Sequence, residues 1–502
     1  MLPLTPRPGL ALVVAGLLGG CVVGPDYAGP PVAAPRAETG APFVRANATR
    51  TVPVDPPARW WTSLRDPILT ELVEEALATN TNVQVAAARL RQSRAMLSQR
   101  TADLAPSISA NTVALNNQFP VKDFIGSGLT RGLGAAAASS GAVTIPKSVN
   151  TDLYDASFDA TWEIDIFGGK QRAIEQAAAQ GEAAEAAVAD AQVQVAAEVA
   201  QAYVTLRGAQ RRLALTLRAA SLQREAVNLS QQRLAQGAAS TLDVERLRTQ
   251  FETTASQAPA FQAQIDQSLN QIAVLVSREP GAVDALLKPP RAIPVPPPTL
   301  AVGDPASLIR RRPDIRRAER QVAAANAQVG QSVAKLFPKV TLLGNAGWVS
   351  PNIGSIGTLA ASTYSVGPTL SWNILDFGRT LAQIRQSEAG TDEALAQYEQ
   401  TVLQALQDAE TALSRYGHQR ATVARLARAS ASAGKASMLT DQRNTAGTVS
   451  TIDVLDVERQ RLQAEQGLAQ AQAEYTNDYV ALQKSLGLGW GLPDERVAMV
   501  RR

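Results

Sequence analysis

Two stretches of the chain alternate strictly between apolar and polar residues, which is the pattern of a β-strand with two different faces. In residues 154–166 the even-numbered positions are apolar or small, and the odd-numbered positions are acidic or carry hydroxyls. Residues 364–374 repeat this pattern, residues 340–348 indicate a third strand, and residues 107–115 indicate a weaker fourth. Each predicted strand has about 10 residues, the length of a tilted membrane strand.

The ends of these strands carry aromatic residues, among them Trp162, Trp348 and Trp372. Aromatic residues near strand ends are typical of the interfacial girdles of membrane strands, although a sheet in a soluble protein has the same alternation. Four strands are too few to close a barrel, and an open strand edge finds no hydrogen-bond partners in hydrocarbon. If these are membrane strands, the chain must therefore assemble with other copies.

Two long tracts without proline predict unusually long helices. Gly169–Leu234 and Arg379–Arg443 are rich in Ala, Gln, Glu and Arg, with apolar residues at mixed spacings of three and four. At about 1.5 Å per residue, each helix would extend roughly 100 Å. Helices of this length favour a coiled or barrel-like array over a compact bundle.

A return helix is predicted after each long helix, over Leu242–Val276 and Ile452–Leu486. Pro259 is expected to kink the first of these, because proline removes a backbone donor and its ring crowds the preceding turn. Shorter helical tracts, Leu72–Leu104 and Asp314–Leu336, precede the strands. The predicted order in each half is therefore helix, strand, strand, long helix, return helix.

The chain also repeats itself at a fixed distance. A motif of five residues recurs 210 positions later with unchanged spacing: Arg233, Gly237, Ser240, Thr241 and Asp243 return as Arg443, Gly447, Ser450, Thr451 and Asp453. The same offset relates Trp162 to Trp372, whereas Pro106 and Pro338 are 232 positions apart. These matches predict two homologous halves. The first half would carry the 22 extra residues, and the Gly-, Ala- and Ser-rich stretch 126–149 has the composition of a loop that could hold them.

The N-terminus indicates an export signal followed by an anchor. Arg7 precedes the apolar run Leu10–Leu18, which is shorter than the roughly 20 residues of a membrane-spanning helix. Leu18-Gly-Gly-Cys21 resembles a bacterial lipobox, in which the cysteine receives a diacylglycerol and an N-acyl chain. An ordinary signal peptide with an incidental cysteine is the alternative. Val22 follows in place of an Asp, which favours the outer membrane over retention in the inner membrane.

These signals divide the chain into six predicted segments. They are a lipoprotein signal peptide at 1–20, a lipid-anchored extended segment at 21–60, a first repeat at 61–288, a Pro-rich linker at 289–303, a second repeat at 304–487 and a C-terminal tail at 488–502. The many proline and alanine residues in the segment 21–60 indicate an extended tether.

Composition argues against catalysis. The chain has one Cys and one His, His418, which exclude a disulfide framework and a multi-His or multi-Cys metal site. His418 lies in a helical tract, where we expect a solvated residue and not a catalytic base. The net charge is only +3, and the basic run Arg310–Arg317 is expected to be a solvated or ion-paired helix start. We expect no enzymatic activity and no cofactor other than the lipid on Cys21.

The most specific motifs are Cys21-Val-Val-Gly-Pro-Asp-Tyr27, Arg311-Arg-Pro-Asp-Ile315, Leu336-Phe-Pro-Lys-Val340 and Trp372-Asn-Ile-Leu-Asp-Phe-Gly378. Together with the element order and the repeat, they resemble the outer membrane factor family of TolC, OprM and NodT type over essentially the whole mature chain. The resemblance implies a mixed α and β membrane protein. Its trimeric 12-stranded β-barrel, four strands per chain, would continue into a long periplasmic 12-helix α-barrel with an equatorial domain.

The resemblance also implies a function and partners. The chain would be the outer-membrane channel component of a tripartite efflux system with a resistance-nodulation-division pump, exporting drugs or other small molecules. The homotrimer would bind a periplasmic membrane-fusion adaptor and, through it, the inner-membrane pump. The duct of a type I protein secretion system or of a metal efflux system is the alternative. A trimeric adhesin would have consecutive strands at its C-terminus, and a soluble periplasmic adaptor would need no lipid-facing strands.

Members of this family constrict the periplasmic entrance with acids at the turn into the last helix. The matching residues here are Asp453 and Asp456, with Ile452 beside them, and Asp243 is a secondary gate candidate in the first half. Threefold symmetry would gather six carboxylates, whose repulsion should raise their pKa values and favour cations. Helix capping is the alternative interpretation of these acids. Some members carry an arginine latch at the position of Val449, so that latch is absent here.

Overall fold

The computed structural model describes residues 22–46, 51–119 and 149–491. Cys21 and nearly all of the predicted insertion at 126–149 lie outside the described residues. The described chain forms two compact units. The first lies within Met1–Tyr27, Ala95–Ala178 and Ala324–Thr391, and the second lies within Ala28–Arg94, Ala179–Ala323 and Asp392–Arg502.

The first unit contains one four-stranded antiparallel sheet. Its strands are β1 (Ser107–Phe119), β2 (Val149–Ile164), β3 (Lys339–Ser350) and β4 (Ser362–Ser371), and their spatial order is the order along the chain. All four predicted strands are therefore confirmed. The register pairs even-numbered residues only with even-numbered residues across the whole sheet, so each face is built from one parity.

Nine helices account for most of the remaining described chain. They are α1 (Pro67–Thr79), α2 (Thr81–Ala102), α3 (Gly169–Ala235), α4 (Thr241–Ala255), α5 (Ala258–Leu275), α6 (Pro305–Arg311), α7 (Pro313–Ala334), α8 (Arg379–Thr445) and α9 (Thr451–Ser485). The long helices α3 and α8 have 67 residues each, as their proline-free sequences predicted. Among the described residues no helix combines the length and the apolar character needed to cross a membrane.

Smaller elements complete the fold. Short helical turns occur at Pro35–Glu38, Trp60–Leu64, Asp284–Leu287, Ile353–Ser355 and Leu359–Ala361. A separate parallel pairing joins Thr51–Val52 to Leu300–Ala301.

The prediction of one helix over Leu72–Leu104 was wrong. Helix α1 begins earlier, at Pro67, and the chain breaks at Asn80, whose backbone is extended with a ψ of 132°. The Asn80 side chain explains the break: its amide donates to the carbonyl of Leu275 over 2.8 Å, and its oxygen accepts from the backbone of Asn82 over 2.9 Å. These bonds compete with continued helix, as asparagine side chains commonly do.

The return helix predicted over Leu242–Val276 is broken just before Pro259, where a kink was expected. Helix α4 ends at Ala255 and α5 begins at Ala258, with Pro259 in its first turn. The corresponding helix of the second half, α9, has no proline and runs unbroken through 35 residues.

An aromatic cluster forms part of the core of the second unit. Trp60 and Trp61 are fully buried, and their rings meet edge to face at 5.8 Å. Tyr479 of α9 packs on Trp60 at 6.0 Å, and its hydroxyl lies 2.6 Å from that of Ser63. The segment before α1 is thereby joined to α9.

This cluster predicts a loss of stability at high pH. Burial raises the pKa of Tyr479 to about 12, although a hydrogen bond with Ser63 lowers it. An exposed tyrosine ionises near pH 10, so the stability contributed by the neutral phenol is complete below pH 10 and is lost between about pH 10 and 12. Over that interval, the melting temperature of the Tyr479→Phe variant should fall less than that of the parent protein. Scanning fluorimetry in detergent measures this, with Tyr364→Phe, at an exposed tyrosine, as the control. Parallel pH profiles for parent and Tyr479→Phe would contradict the assignment.

Candidate functional site

One face of the four-stranded sheet is apolar and uncovered. The even-numbered side chains form this face, and its large residues are strongly exposed, for example Phe158 at 57%, Val366 at 73% and Tyr364 at 84%. Exposed apolar patches on folded proteins mark surfaces that contact a partner or a membrane. In sequence, this face was marked by strict alternation, which the register confirms.

The opposite face is polar and cross-linked by side chains. Asp159 of β2 accepts a hydrogen bond from Asn345 of β3 over 2.6 Å and another from Asn111 of β1. Asp155 and Glu163 lie on this same face, each four residues from Asp159 along β2. The sheet therefore separates an apolar surface from an acidic, hydrated one.

Both edges of the sheet are open. In the described part of the chain β1 pairs only with β2, and β4 pairs only with β3. Each edge strand therefore presents a row of backbone N–H and C=O groups that no other described strand satisfies. Such edges pair readily with other chains.

Equivalent tryptophans fasten the sheet to the helix ends in both halves. The indole N–H of Trp162 donates to the carbonyl of Leu104 over 2.8 Å, and that of Trp372 donates to the carbonyl of Leu336 over 2.9 Å. In each case the carbonyl lies just before the first strand of the pair. Trp162 lies two residues before the end of β2, and Trp372 directly follows β4.

The second unit contains two helical hairpin turns, α3 to α4 and α8 to α9, and both end in the same cap. In the first, the Ser240 hydroxyl accepts from the Asp243 backbone while the Asp243 carboxylate accepts from the Ser240 backbone over 3.1 Å. In the second, Ser450 and Asp453 make the same pair of bonds, the latter over 3.0 Å. Serine at the cap and an acid three residues later form a capping box. Helix capping, the alternative interpretation of these acids, is therefore observed for Asp243 and Asp453.

The capping bonds also set the ionisation of both acids. Hydrogen bonds from Ser450 hold the pKa of Asp453 below its usual value, with a smaller contribution from the charge of Arg233. Ser240 lowers the pKa of Asp243 in the same way. The predicted rise in pKa concerns carboxylates gathered in an assembled ring, so it stays a prediction; in the single chain the direction is downward.

The other two gate candidates lie on the first turns of α9. Asp456 is exposed and pairs with Arg459 over 2.7 Å, and it also accepts from Gln460 over 2.9 Å. Ile452 is half-buried. The structure thus places Asp453, Asp456 and Ile452 together at one helix start, with one acid engaged in capping and the other in an ion pair.

A polar junction that the sequence did not predict lies farther along α9. Glu458 accepts from Ser437 of α8 over 2.7 Å, pairs with Arg461 and lies 3.7 Å from Arg218 of α3. Hydrogen bonds from Arg461 keep the pKa of Glu458 low against the effect of burial. In sequence, Glu458 and Arg461 indicate only a solvated pair three residues apart, because nothing local reveals the partners from α3 and α8.

The structure also places the other residues that the sequence singled out. His418 is exposed on α8, as predicted. The basic run at the start of α7 is ion-paired, as expected: Arg312 bonds Asp314 over 2.6 Å and Arg317 pairs with Asp190 over 3.2 Å. Within residues 22–46, 51–119 and 149–491, no group of three or more His, Cys, Asp or Glu side chains could hold a metal ion.

The chain is similar to known proteins along most of its length. The profile of the family described as "Outer membrane efflux protein" matches residues 72–277 and 305–488. Nodulation protein T of Rhizobium leguminosarum bv. trifolii is 31% identical over 480 residues, which cover 94% of this chain and 96% of that protein. The antibiotic efflux pump outer membrane protein ArpC of Pseudomonas putida is 30% identical over 487 residues, covering 95% of this chain and 94% of ArpC.

Solved structures show the same fold. The outer-membrane channel OprN superposes with a TM-score of 0.78 at 36% sequence identity, covering 94% of this chain and all of the OprN chain. The family profile spans most of the sequence, and the similarity extends across both compact units. The chain therefore belongs to the outer membrane efflux protein family, a family of outer-membrane transport components.

Proposed function

We propose that this chain forms the outer-membrane duct of a tripartite efflux system that exports drugs or other small molecules. The observation that carries the proposal is the four-stranded sheet, with its exposed apolar face, its acidic face and its two open edges. Relatives support the choice of cargo class, since ArpC is named for antibiotic efflux and a Pseudomonas putida homologue at 30% identity is named for toluene efflux.

Closure of the sheet requires more than one chain. A membrane interior offers no hydrogen-bond partners, so every strand edge there must pair. Three copies, with β1 of one chain against β4 of the next, would give a 12-stranded barrel with the apolar face toward lipid and the face of Asp159 toward the lumen. The helices α3, α4, α5, α8 and α9 of three chains would then supply the periplasmic α-barrel.

Two homologous halves account for the regularities inside the chain. Trp162 and Trp372 make equivalent bonds, and their acceptors Leu104 and Leu336 are related by the other offset found in the sequence. The two capping boxes are likewise equivalent. We propose segment boundaries at 61–288 and 304–487 for the halves, with residues 289–303 as the linker.

An anchor on Cys21 would add to the hold of the barrel on the membrane. One thioether-linked diacylglycerol and one N-acyl chain together exceed the two hydrophobic signals that stable anchoring needs. We place the mature chain in the outer membrane by this anchor and by the sheet, with the helical part in the periplasm.

The gate is proposed to lie at the hairpin turn of α8 and α9. Asp453 and Asp456 of three chains would form an acidic constriction, with Ile452 narrowing it. Asp243 occupies the equivalent turn of the first half, where we assign it to capping alone. A membrane-fusion adaptor and an inner-membrane pump would be the partners below this constriction. The alternative cargo, a secreted protein or a metal ion, would use the same duct with a different pump.

Export should depend on which face of the sheet carries a charge. Deleting the gene should increase susceptibility to antibiotics or solvents, and the parent gene should restore resistance. Val366→Arg places a cation on the apolar face at a cost of about 2–4 kcal/mol per chain at mid-membrane, so it should fail to restore resistance. The neighbouring Ser365→Arg lies on the polar face and should restore it.

Growth across a panel of antibiotics, dyes, solvents and metals measures this, with immunoblots of outer-membrane fractions as the check on assembly. Unchanged growth across the panel after deletion of the gene would count against constitutive efflux of these compounds. Equal complementation by the Val366→Arg and Ser365→Arg variants would count against a lipid-facing sheet.

Removing the acids of the second turn should open the constriction. The double variant Asp453→Ala with Asp456→Ala should raise single-channel conductance in planar bilayers and weaken block by divalent cations, because it removes charge from the narrowest point. Asp243→Ala is the matched control, since it deletes an identical capping carboxylate from the first turn. A similar rise with Asp243→Ala would assign the effect to the lost cap, and unchanged conductance in the double variant would remove these acids from gating.

A further inference from the structure

The guanidinium of Arg172 is buried against the first residues of the described chain. Its exposed fraction is only 3%. It donates to the backbone carbonyl of Val23 over 3.1 Å, to that of Gly24 over 3.2 Å and to the carboxylate of Asp26 over 2.7 Å. A further pair with Glu175 at 2.8 Å completes its bonding. One side chain therefore binds three of the four residues from Val23 to Asp26.

Other residues near Arg172 bind the backbone of the same N-terminal segment. The Val23 N–H donates to the carbonyl of Phe167 over 3.2 Å. On the other side, the Asn326 amide donates to the carbonyl of Pro25 over 3.0 Å. Both bonds are made to main-chain groups of the segment. We name this groove the N-terminal cradle and define it by Phe167, Gly168, Arg172, Asn326 and Gly330.

Close approach in the cradle leaves no room for side chains at its glycines. A Cβ on Gly24 would lie 2.5 Å from the Cα of Gly330, and a Cβ on Gly168 would lie 2.8 Å from the Cα of Val22. Both distances are shorter than real atoms tolerate. The fit is thus set by backbone against backbone, which a loosely tethered segment would not require.

We propose that the N-terminal cradle is a docking site for the chain's own lipid-modified N-terminus and fixes where the acyl chains enter the membrane. This inference rests on the proposed lipidation of Cys21, the residue bonded to Val22. The cradle lies where β2 ends and α3 begins, at Phe167 and Gly168. Acyl chains attached one residue before Val22 would therefore start at that end of the sheet.

The cradle shortens the distance between the lipid-bearing residue and the nearest fixed part of the protein. The next buried residues along the segment are Ala34 and Ala37, at the short helix Pro35–Glu38. A free segment reaching from Ala34 to Cys21 would have an end-to-end distance of roughly 20 Å. With Val22 held, one Cα–Cα step of about 4 Å separates the lipid-bearing residue from the cradle. Arg172 is thus a positioning residue for the anchor.

The test uses a nitroxide label on Ala28→Cys in the full-length, membrane-inserted protein. Ala28 is exposed and lies in the sequence between Asp26, which is bound in the cradle, and the buried Ala34. Cys21 bears a thioether once lipidated, so a lipidated chain takes one label, and intact mass reports the lipid itself. A second label per chain, or a mass without lipid, would overturn the proposed anchor and this inference with it. One label and a lipid mass confirm the anchor and leave the cradle to be judged by label mobility.

Two variants should release the segment while leaving lipidation intact. Gly24→Ala introduces the clash with Gly330, and Arg172→Met removes the hydrogen bonds but keeps an unbranched apolar stem. In both, a sharp mobile component should become the majority of the electron paramagnetic resonance spectrum, which should be restricted in the parent.

Gly29→Ala is the matched control. Gly24 and Gly29 have similar backbone angles, with φ of +92° and +101°, but a Cβ on Gly29 would meet nothing within 4 Å. The Gly29→Ala spectrum should stay restricted. Equal mobility in the two glycine variants, or a mobile label in the parent, would overturn the cradle while the lipid mass still supports the anchor.

Discussion

Hydrogen bonding at the two open strand edges is the constraint on which the rest of this structure depends. The sheet buries neither its apolar face nor its edges within the described chain, and water can satisfy the edges only while the apolar face stays exposed. Hydrocarbon would cover the face but would leave the edges unpaired. Pairing β1 with β4 of another copy resolves both demands at once. Membership of the outer membrane efflux protein family is consistent with this solution, and the proposed trimer follows from it.

The same constraint organises the ends of the sheet. Backbone groups between a helix and a strand also need hydrogen-bond partners. The indoles of Trp162 and Trp372 bind two such groups, the carbonyls of Leu104 and Leu336. The N-terminal cradle lies at the end of β2 as well, built around Arg172. We therefore regard the transition from strand to helix as the place where the chain fixes both its sheet and its proposed anchor.

Much of this fold could be predicted because its signals are local. The apolar residues at even-numbered positions of 154–166 predicted the two faces of the sheet. The absence of proline from two long tracts predicted α3 and α8. Pro259 marked the break before α5. The sequence failed at Asn80, where a bond to the Leu275 carbonyl, 195 residues away, ends a helix that local propensity would continue. Arg172 and Glu458 were missed for the same reason, since their partners are remote in sequence.

The candidate gate shows the limit of motif reasoning in another way. Asp453 was selected by its position in a family motif, and the structure gives it a capping role shared with Asp243. Capping and gating are compatible, because the box uses one carboxylate oxygen and leaves the charge exposed on the turn. Local geometry alone therefore does not separate the two hairpins, and the distinction between them rests on their places in the proposed assembly.

The central claim is that this chain completes its sheet only with identical copies. Native mass spectrometry of the protein, extracted from outer membranes in mild detergent, tests it most directly. The account predicts one dominant species containing three chains, each with the same lipid mass. A dominant single chain or pair of chains in a preparation that retains channel activity would contradict it.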